Sequence, residues 1–182
     1  MKRAVDVLLS LMVLLPLAIP MLVVAIAIKR EDRGPVFYKQ KRVGRGCVVF
    51  EMLKFRSMVV NADREGGFQT EPNDQRVTRV GAFIRSKSID ELPQVLNVLR
   101  GDMSLVGPRP DVPKQEELYS PEDWRRRHQV RPGITGLAQV RGRSDITPET
   151  RLAHDLEYVE KTSLALDIQI LIRTFGVLRK GI

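Results

Sequence analysis

The chain has 182 residues, enough for one modest core and too few for a large multidomain enzyme. Charged residues make up 29 % and the apolar set 43 %, ordinary globular usage that excludes a disordered chain and a polytopic membrane protein. With 30 Lys and Arg against 22 Asp and Glu, the net charge of +8 points to a polyanionic partner: nucleic acid, an anionic membrane surface or a phosphorylated small molecule.

From Val7 to Ile28 the only polar side chain is Ser10. As a helix this segment would be about 33 Å long, enough to cross a bilayer core of about 30 Å. Pro16 and Pro20 each remove an N–H donor and clash with the carbonyl four residues earlier, which predicts a sharp bend in mid-segment. Three readings stand: a kinked single span, a re-entrant hairpin that enters and leaves by one face, and a cleaved signal peptide. Ala25-Ile26-Ala27 resembles a cleavage site, but the apolar run exceeds the usual signal length. Lys2-Arg3 precede the segment and Lys29-Arg30 follow it, so a simple span would place cations on both sides. Keeping both ends cytoplasmic removes that conflict. The chain divides into a membrane segment, 1–28, and a cytoplasmic domain, 29–182.

Residues 36–43 and 47–55 are β-rich runs around Gly44-Arg45-Gly46 and read as a hairpin with a three-residue loop. The cations from Lys29 to Arg45 outnumber Glu31 and Asp32, a juxtamembrane cluster suited to anionic headgroups. Cys47 is the single cysteine, which excludes an internal disulfide; in its Val/Phe-rich run it reads as a small core residue. Residues 61–76 read as a loop, 77–86 and 91–99 as helices, and Met103 to Val106 as a short apolar run. Ser120 and Thr147, each followed by Pro-Glu, mark the starts of helices at 121–130 and 148–161. In the last helix Leu164, Ile168, Leu171, Phe175 and Leu178 form an apolar stripe, suited to the core or to a membrane interface.

No Walker A loop, GxGxxG or GxSxG occurs, so an active site must be built from carboxylates and cations. The densest candidate is Ser88-Ile89-Asp90-Glu91-Leu92-Pro93-Gln94. As a capping box with Ser88 at the N-cap it would put Pro93 inside the helix; a start at Asp90 or later leaves the proline harmless in the first turn. Two adjacent carboxylates then stand at a helix start. Gly107-Pro108-Arg109-Pro110 holds one arginine on a stiff backbone, suited to a phosphate group. Arg131 to Arg143 interleaves cations with Gly133, Gly136 and Gly142, which permit close backbone approach to a ligand.

Lys54-Phe55-Arg56-Ser57-Met58, Ser88 to Gln94, Asn97 to Pro110 and Arg131 to Val140 with Gly142-Arg143 together resemble the bacterial sugar transferase family. These are the monotopic phosphoglycosyltransferases that start glycan assembly on a polyprenol carrier, and the chain is similar to the small, catalytic-core type. The family's membrane helix is re-entrant and broken at a Ser-Pro pair; here Ile19-Pro20 stands in its place, with Pro16 as a further proline.

The resemblance implies an α+β fold, mainly helical with a small β-hairpin, monotopic on the cytoplasmic face of the bacterial inner membrane. It implies transfer of a sugar phosphate from a UDP-sugar to undecaprenyl or similar polyprenol phosphate with release of UMP, the first membrane step of exopolysaccharide, lipopolysaccharide or other glycan synthesis. Asp90 matches the family's nucleophile, which forms a covalent phosphosugar intermediate, and Glu91 its Mg²⁺ ligand. Arg109 is the first candidate for a phosphate clamp; Lys54, Arg56, Arg85, Arg131, Gln139 and Arg143 are further candidates for the nucleotide and phosphate pocket. Asp155 and Asp167 also match family positions and equally suit structural roles in helices. The partners implied are UDP-sugar, polyprenol phosphate and the lipid bilayer, with no nucleic acid and with room for an oligomer. The rival reading is a non-catalytic membrane-tethered module binding anionic lipid or nucleic acid; aromatics at 5 %, in no stripe, argue against an RNA platform. The sugar is not legible; its pocket falls to the 61–76 loop and segment 111–130.

Overall fold

A computed structural model describes residues 1–62, 74–142 and 146–179, the last three for their backbone alone. The protein is mostly helical, with two small sheets. Helix α1, Lys2–Asp32, runs through Pro16 and Pro20 as one element and ends at Arg33, whose left-handed conformation turns the chain. The prolines therefore do not take the chain out of helical conformation, and the helix extends beyond residue 28. By length and composition α1 could cross a membrane. Once two donors are lost, retaining helix leaves the fewest bare backbone groups in an apolar setting.

The two ends of α1 are fastened to the same body. At its start Lys2 Nζ donates to Asp167 Oδ2 (2.5 Å) and Val106 O (3.1 Å), Arg3 to Val98 O and Leu99 O, and Asp6 accepts from Ser104 Oγ and Leu105 N. At its end Ile28 is buried with Phe55 and Ile84, Asp32 is held by Arg56, and Glu31 Oε1 accepts from Arg79 N. Between these anchors Met12, Leu15 and Ile19 are 61 %, 76 % and 74 % exposed, so the middle stands clear of the domain.

Strands β1, Phe37–Val43, and β2, Val49–Phe55, form the expected antiparallel hairpin, in register from Phe37 opposite Phe55 to Val43 opposite Val49. Its connection is five residues, 44–48, rather than three. Gly46 and Cys47 both take positive φ there, so Cys47 lies in the turn at intermediate exposure, not in the core. Helix α2, Arg79–Ser86, starts on Thr78, whose side chain accepts from Gly81 N. A 3₁₀ turn, Ile89–Glu91, leads to α3, Gln94–Arg100, with Pro93 at the N-cap position, where its missing donor costs nothing. Ser88 makes no cap, which removes the capping-box reading.

Strand β3, Ser104–Val106, pairs in parallel with β4, Gly133–Thr135, an unexpected sheet. Helix α4, Pro121–Arg127, and, after the short α5, Leu137–Gly142, helix α6, Pro148–Glu160, start on Ser120 and Thr147 as their caps foretell. In α7, Leu164–Arg179, the face turned inward carries Asp167, Ile170 and Thr174, whereas Ile168, Ile172 and Phe175 are 55 %, 66 % and 69 % exposed. Two residues of the predicted stripe, Ile168 and Phe175, thus lie outside the core. The side chain of Leu178 lies outside the described residues.

The core is three small clusters rather than one. Val106, Leu137, Tyr158 and Ile170 form one, Ile28, Phe55 and Ile84 the second, and Met52, Val98 and Met103 the third. The hairpin, α2 and the 3₁₀ turn meet between the last two, and a cavity opens there.

Candidate active site

The cavity has a volume of about 550 Å³ and lies between the hairpin, the segment after β2 and α2. The left-handed conformation of Ser88 (φ 54°) swings the chain out of α2 so that the next turn presents Asp90 to it. Asp90 is the only carboxylate among the described lining residues, against Lys39, Arg42, Lys54, Arg56, Arg76 and Arg85. Burial pushes its carboxyl above the usual range, opposed by Lys54 and Arg85 and reinforced by Glu91. The result is one half-buried carboxylate facing a cationic wall, which suits a polyanionic substrate attacked at a single point.

Glu91 points away from that role. Its Oε1 accepts from Lys54 Nζ at 2.8 Å and Arg109 Nη2 at 2.9 Å. Burial works against ionisation, but the two cations outweigh it and hold the carboxyl at about 2. Glu91 is therefore a fixed anion that links β2 to the Arg109 loop, and its Oε2 has no hydrogen bond among the described residues. No cluster of three or more metal-ligating side chains occurs among them.

Arg109 keeps a side chain 42 % exposed while its loop is packed tightly. The loop rests on the segment that follows Arg131. Gly107 N donates to Thr135 O and Gly133 N to Pro108 O, both at 2.9 Å. A Cβ on Gly107 would lie 2.3 Å from Arg131 O, one on Gly133 2.1 Å from Gly107 N, and one on Gly136 2.3 Å from Gly107 O. These glycines thus bring two stretches of backbone together, not backbone and ligand as the sequence suggested. Gly142 instead makes room for the side chain of Ile146.

The other sequence candidates separate. Lys54 and Arg85 line the cavity with Asp90. Arg56 also borders it, yet its guanidinium grips both Asp32 oxygens and Pro35 O, tying α1 to β2. Arg131 lies elsewhere: its Nε donates to Gly101 O at 2.8 Å, closing the end of α3. Gln139 is not at the cavity either; its amide is shut off from solvent without a hydrogen-bond partner among the described residues, Oε1 lying 2.7 Å from the position of a Cβ on Gly136. Arg143 lies outside the described residues, as does most of the 61–76 loop. Of the two acids outside the cavity, Asp155 binds Arg127 and Asp167 binds Lys2, both structural ties.

Tyr38, Arg42 and Arg76 are cavity residues that the motifs did not single out. Arg42 and Tyr38 alternate along β1, and only the pairing register with Lys54 could have placed them beside Asp90.

The chain is 44 % identical over 180 residues to a UDP-glucose:undecaprenyl-phosphate glucose-1-phosphate transferase of Caulobacter vibrioides, covering 95 % of this chain and 67 % of that protein. It is 44 % identical over 186 residues to a UDP-N-acetylgalactosamine-undecaprenyl-phosphate N-acetylgalactosaminephosphotransferase of Aeromonas hydrophila, covering 99 % and 44 %. It is 45 % identical over 187 residues to the exopolysaccharide production protein PSS of Rhizobium leguminosarum bv. phaseoli, covering 96 % and 92 %. Two longer relatives are spanned over only 37 % and 35 % of their length. With its pattern matched over residues 1–181, the chain belongs to the bacterial sugar transferase family.

Proposed function

We propose that the protein is a phosphoglycosyltransferase that moves a sugar phosphate from a UDP-sugar to undecaprenyl or a similar polyprenol phosphate and releases UMP. The observation that carries this reading is the cavity itself: one half-buried carboxylate, Asp90, against a wall of cations, in a chain of this family. A carboxylate oxygen of Asp90 attacks the β-phosphorus, and the bond from that phosphorus to the bridging oxygen breaks. UMP leaves with the bridging oxygen and Asp90 holds the phosphosugar as an acyl phosphate. An oxygen of the polyprenol phosphate then attacks the same phosphorus, Asp90 regains its carboxylate, and polyprenol diphosphosugar is formed.

The charges of the site support both displacements. Lys54, Arg85 and Arg109 reduce the repulsion between an attacking anion and a diphosphate, and the arginine at position 109 can take a phosphate bidentately. The ionised Glu91, whose Oε2 has no hydrogen bond among the described residues, fits Mg²⁺, which takes one or two carboxylates and draws its other ligands from phosphates and water. That ion, when bound, would supply charge neutralisation to the diphosphate and the leaving UMP.

The test is UMP release without lipid. Purified protein given Mg²⁺ and a panel of UDP-sugars should release UMP up to about one equivalent on its preferred donor and gain the mass of a phosphosugar. UMP release that depends strictly on polyprenol phosphate, with no adduct, would establish direct transfer instead. No UMP release from any donor, with polyprenol phosphate present, would favour a non-catalytic tethered module. The relatives act on different sugars by name, so the panel must include both glucose and N-acetylhexosamine donors.

We place the domain on the cytoplasmic membrane face with α1 re-entrant. Support comes from the anchors: Lys2, Arg3 and Asp6 at one end, and Glu31 and Asp32 at the other, bind one and the same domain. A span with Lys2 on the far side would sever the first set. The exposed middle of α1 and the row Ile168, Ile172, Phe175 supply the apolar surface for lipid. Single cysteines at positions 2 and 29, with Cys47 replaced, should both resist a membrane-impermeant thiol reagent added from the periplasmic side; labelling at position 2 would establish a single-pass anchor.

A further inference from the structure

Beneath the Arg109 loop lies a group of buried charges that the proposed chemistry does not use. The side chain of Arg127, at the end of α4, is 1 % exposed. Its Nε donates to Asp155 Oδ2 at 2.9 Å, its Nη1 to Asp111 Oδ2, and its Nη2 to the main-chain oxygen of Arg109 at 2.7 Å. Asp111, fully buried, also accepts on Oδ1 from Arg151 at 2.9 Å. Two cations therefore balance two anions.

Burying ion pairs is a poor route to stability, because apolar residues of the same volume commonly do as well or better. What this group provides is direction. Four consecutive carbonyls of the loop are each held by a different donor: Pro108 O by Gly133 N, Arg109 O by Arg127, Pro110 O by Arg42 Nη1 at 2.7 Å, and Asp111 O by Val43 N. Three of these donors sit on strands or beside the parallel pair. Arg127 alone reaches the carbonyl of the residue whose guanidinium meets Glu91, and it does so from α4, anchored in turn to α6 through Asp155.

We propose that Arg127 is a positioning residue: it fixes the main chain of Arg109 so that the Arg109 side chain meets Glu91 and the donor diphosphate in one geometry. This rests on the phosphate role given to Arg109 above. A fork of three donors is needed to join Asp111, Asp155 and the carbonyl at once, and a lysine cannot reproduce it.

The experiment compares Arg127→Lys with Arg127→Met/Asp155→Asn. The second removes one buried cation and one buried anion together and leaves Asp111 paired with Arg151. Both are made with and without Arg109→Lys and assayed for UMP release from the donor that the wild-type protein uses. Thermal unfolding in detergent establishes which variants are folded. In the folded variants kcat should fall on the order of tenfold to a hundredfold, as expected when a catalytic group is misplaced by a fraction of an ångström to about 1 Å. In the Arg109→Lys background the same substitutions should cost almost nothing further, because their effect passes through Arg109.

Wild-type kcat in a folded variant would overturn the proposal, as would losses that multiply in full with that of Arg109→Lys. So would unfolding of both variants at the assay temperature, since Arg127 would then serve the fold and not the site. Failure of the wild-type protein to release UMP from any donor would count against the proposed function instead, which keeps the two readings apart.

Discussion

Asp90→Asn is expected to lower turnover by roughly 10⁴-fold or more while leaving the protein folded and bound to membranes. The amide has nearly the shape of the carboxylate but is a poor nucleophile, and Asp90 takes part in no ion pair among the described residues whose loss would disturb the 3₁₀ turn. Because burial already opposes its charge, the neutral amide should cost no stability and bring a small gain. The decisive measurement is twofold: UMP release in the steady state, and intact mass after incubation with the UDP-sugar alone. Loss of both UMP and adduct in a protein with unchanged thermal unfolding is the expected result. Substantial residual turnover in purified protein would refute the covalent role.

Glu91→Gln should act by a different route. The wild-type carboxylate stays ionised because Lys54 and Arg109 share its Oε1, so removing the charge releases two cations at once. Both are groups to which the proposed reaction gives a phosphate-binding role, and on that reading the expected loss in kcat is about 10² to 10³-fold. Losing an anionic ligand should also raise the Mg²⁺ concentration needed for half-maximal rate. A Mg²⁺ titration identical to wild type, with kcat reduced, would assign the ligand role to another group and leave Glu91 as the anchor of the two cations. A variant with wild-type kcat would remove it from the site altogether.

Much of the fold is legible in the sequence where a local rule acts alone. Ser120 and Thr147 start helices because their side chains satisfy backbone donors three residues on, and the alternating runs around Gly44 can only pair as a hairpin. Legibility fails where the decisive partner is distant. Three-residue strands such as 104–106 and 133–135 are too short to carry a period, and their pairing depends on glycines that read equally well as ligand contacts. The stripe on α7 follows helical spacing, yet Asp167 and Ile170, not Ile168 and Phe175, take the core side, because Lys2 and Tyr158 bind Asp167. In the site, Asp90, Lys54 and Arg85 line one cavity, and Lys54 links it to the Glu91–Arg109 pair, neither member of which lines it. Arg131 does not, because a lone cation beside glycines gives no indication of whether it faces a phosphate or a helix end. Tyr38 and Arg42 needed the strand register, and Arg127 needed the tertiary structure: a run of basic residues ending a helix gives no sign that one of them is buried.

The double fastening of α1 also sets an order of events during synthesis. A chain made from its N-terminus at about 5–20 residues per second completes the membrane helix early, but Asp167 follows Lys2 by 165 residues, so their contact waits roughly ten to thirty seconds. Ser104, the partner of Asp6, comes sooner, 98 residues after it. During that interval the helix must hold its place in the bilayer without the domain, and Lys2-Arg3 and Lys29-Arg30 are the groups available to hold it. Helix α7 then adds the last tie, so a truncation before it should leave a chain whose first anchor keeps the contacts of Arg3 and Asp6 and lacks the one between Lys2 and Asp167.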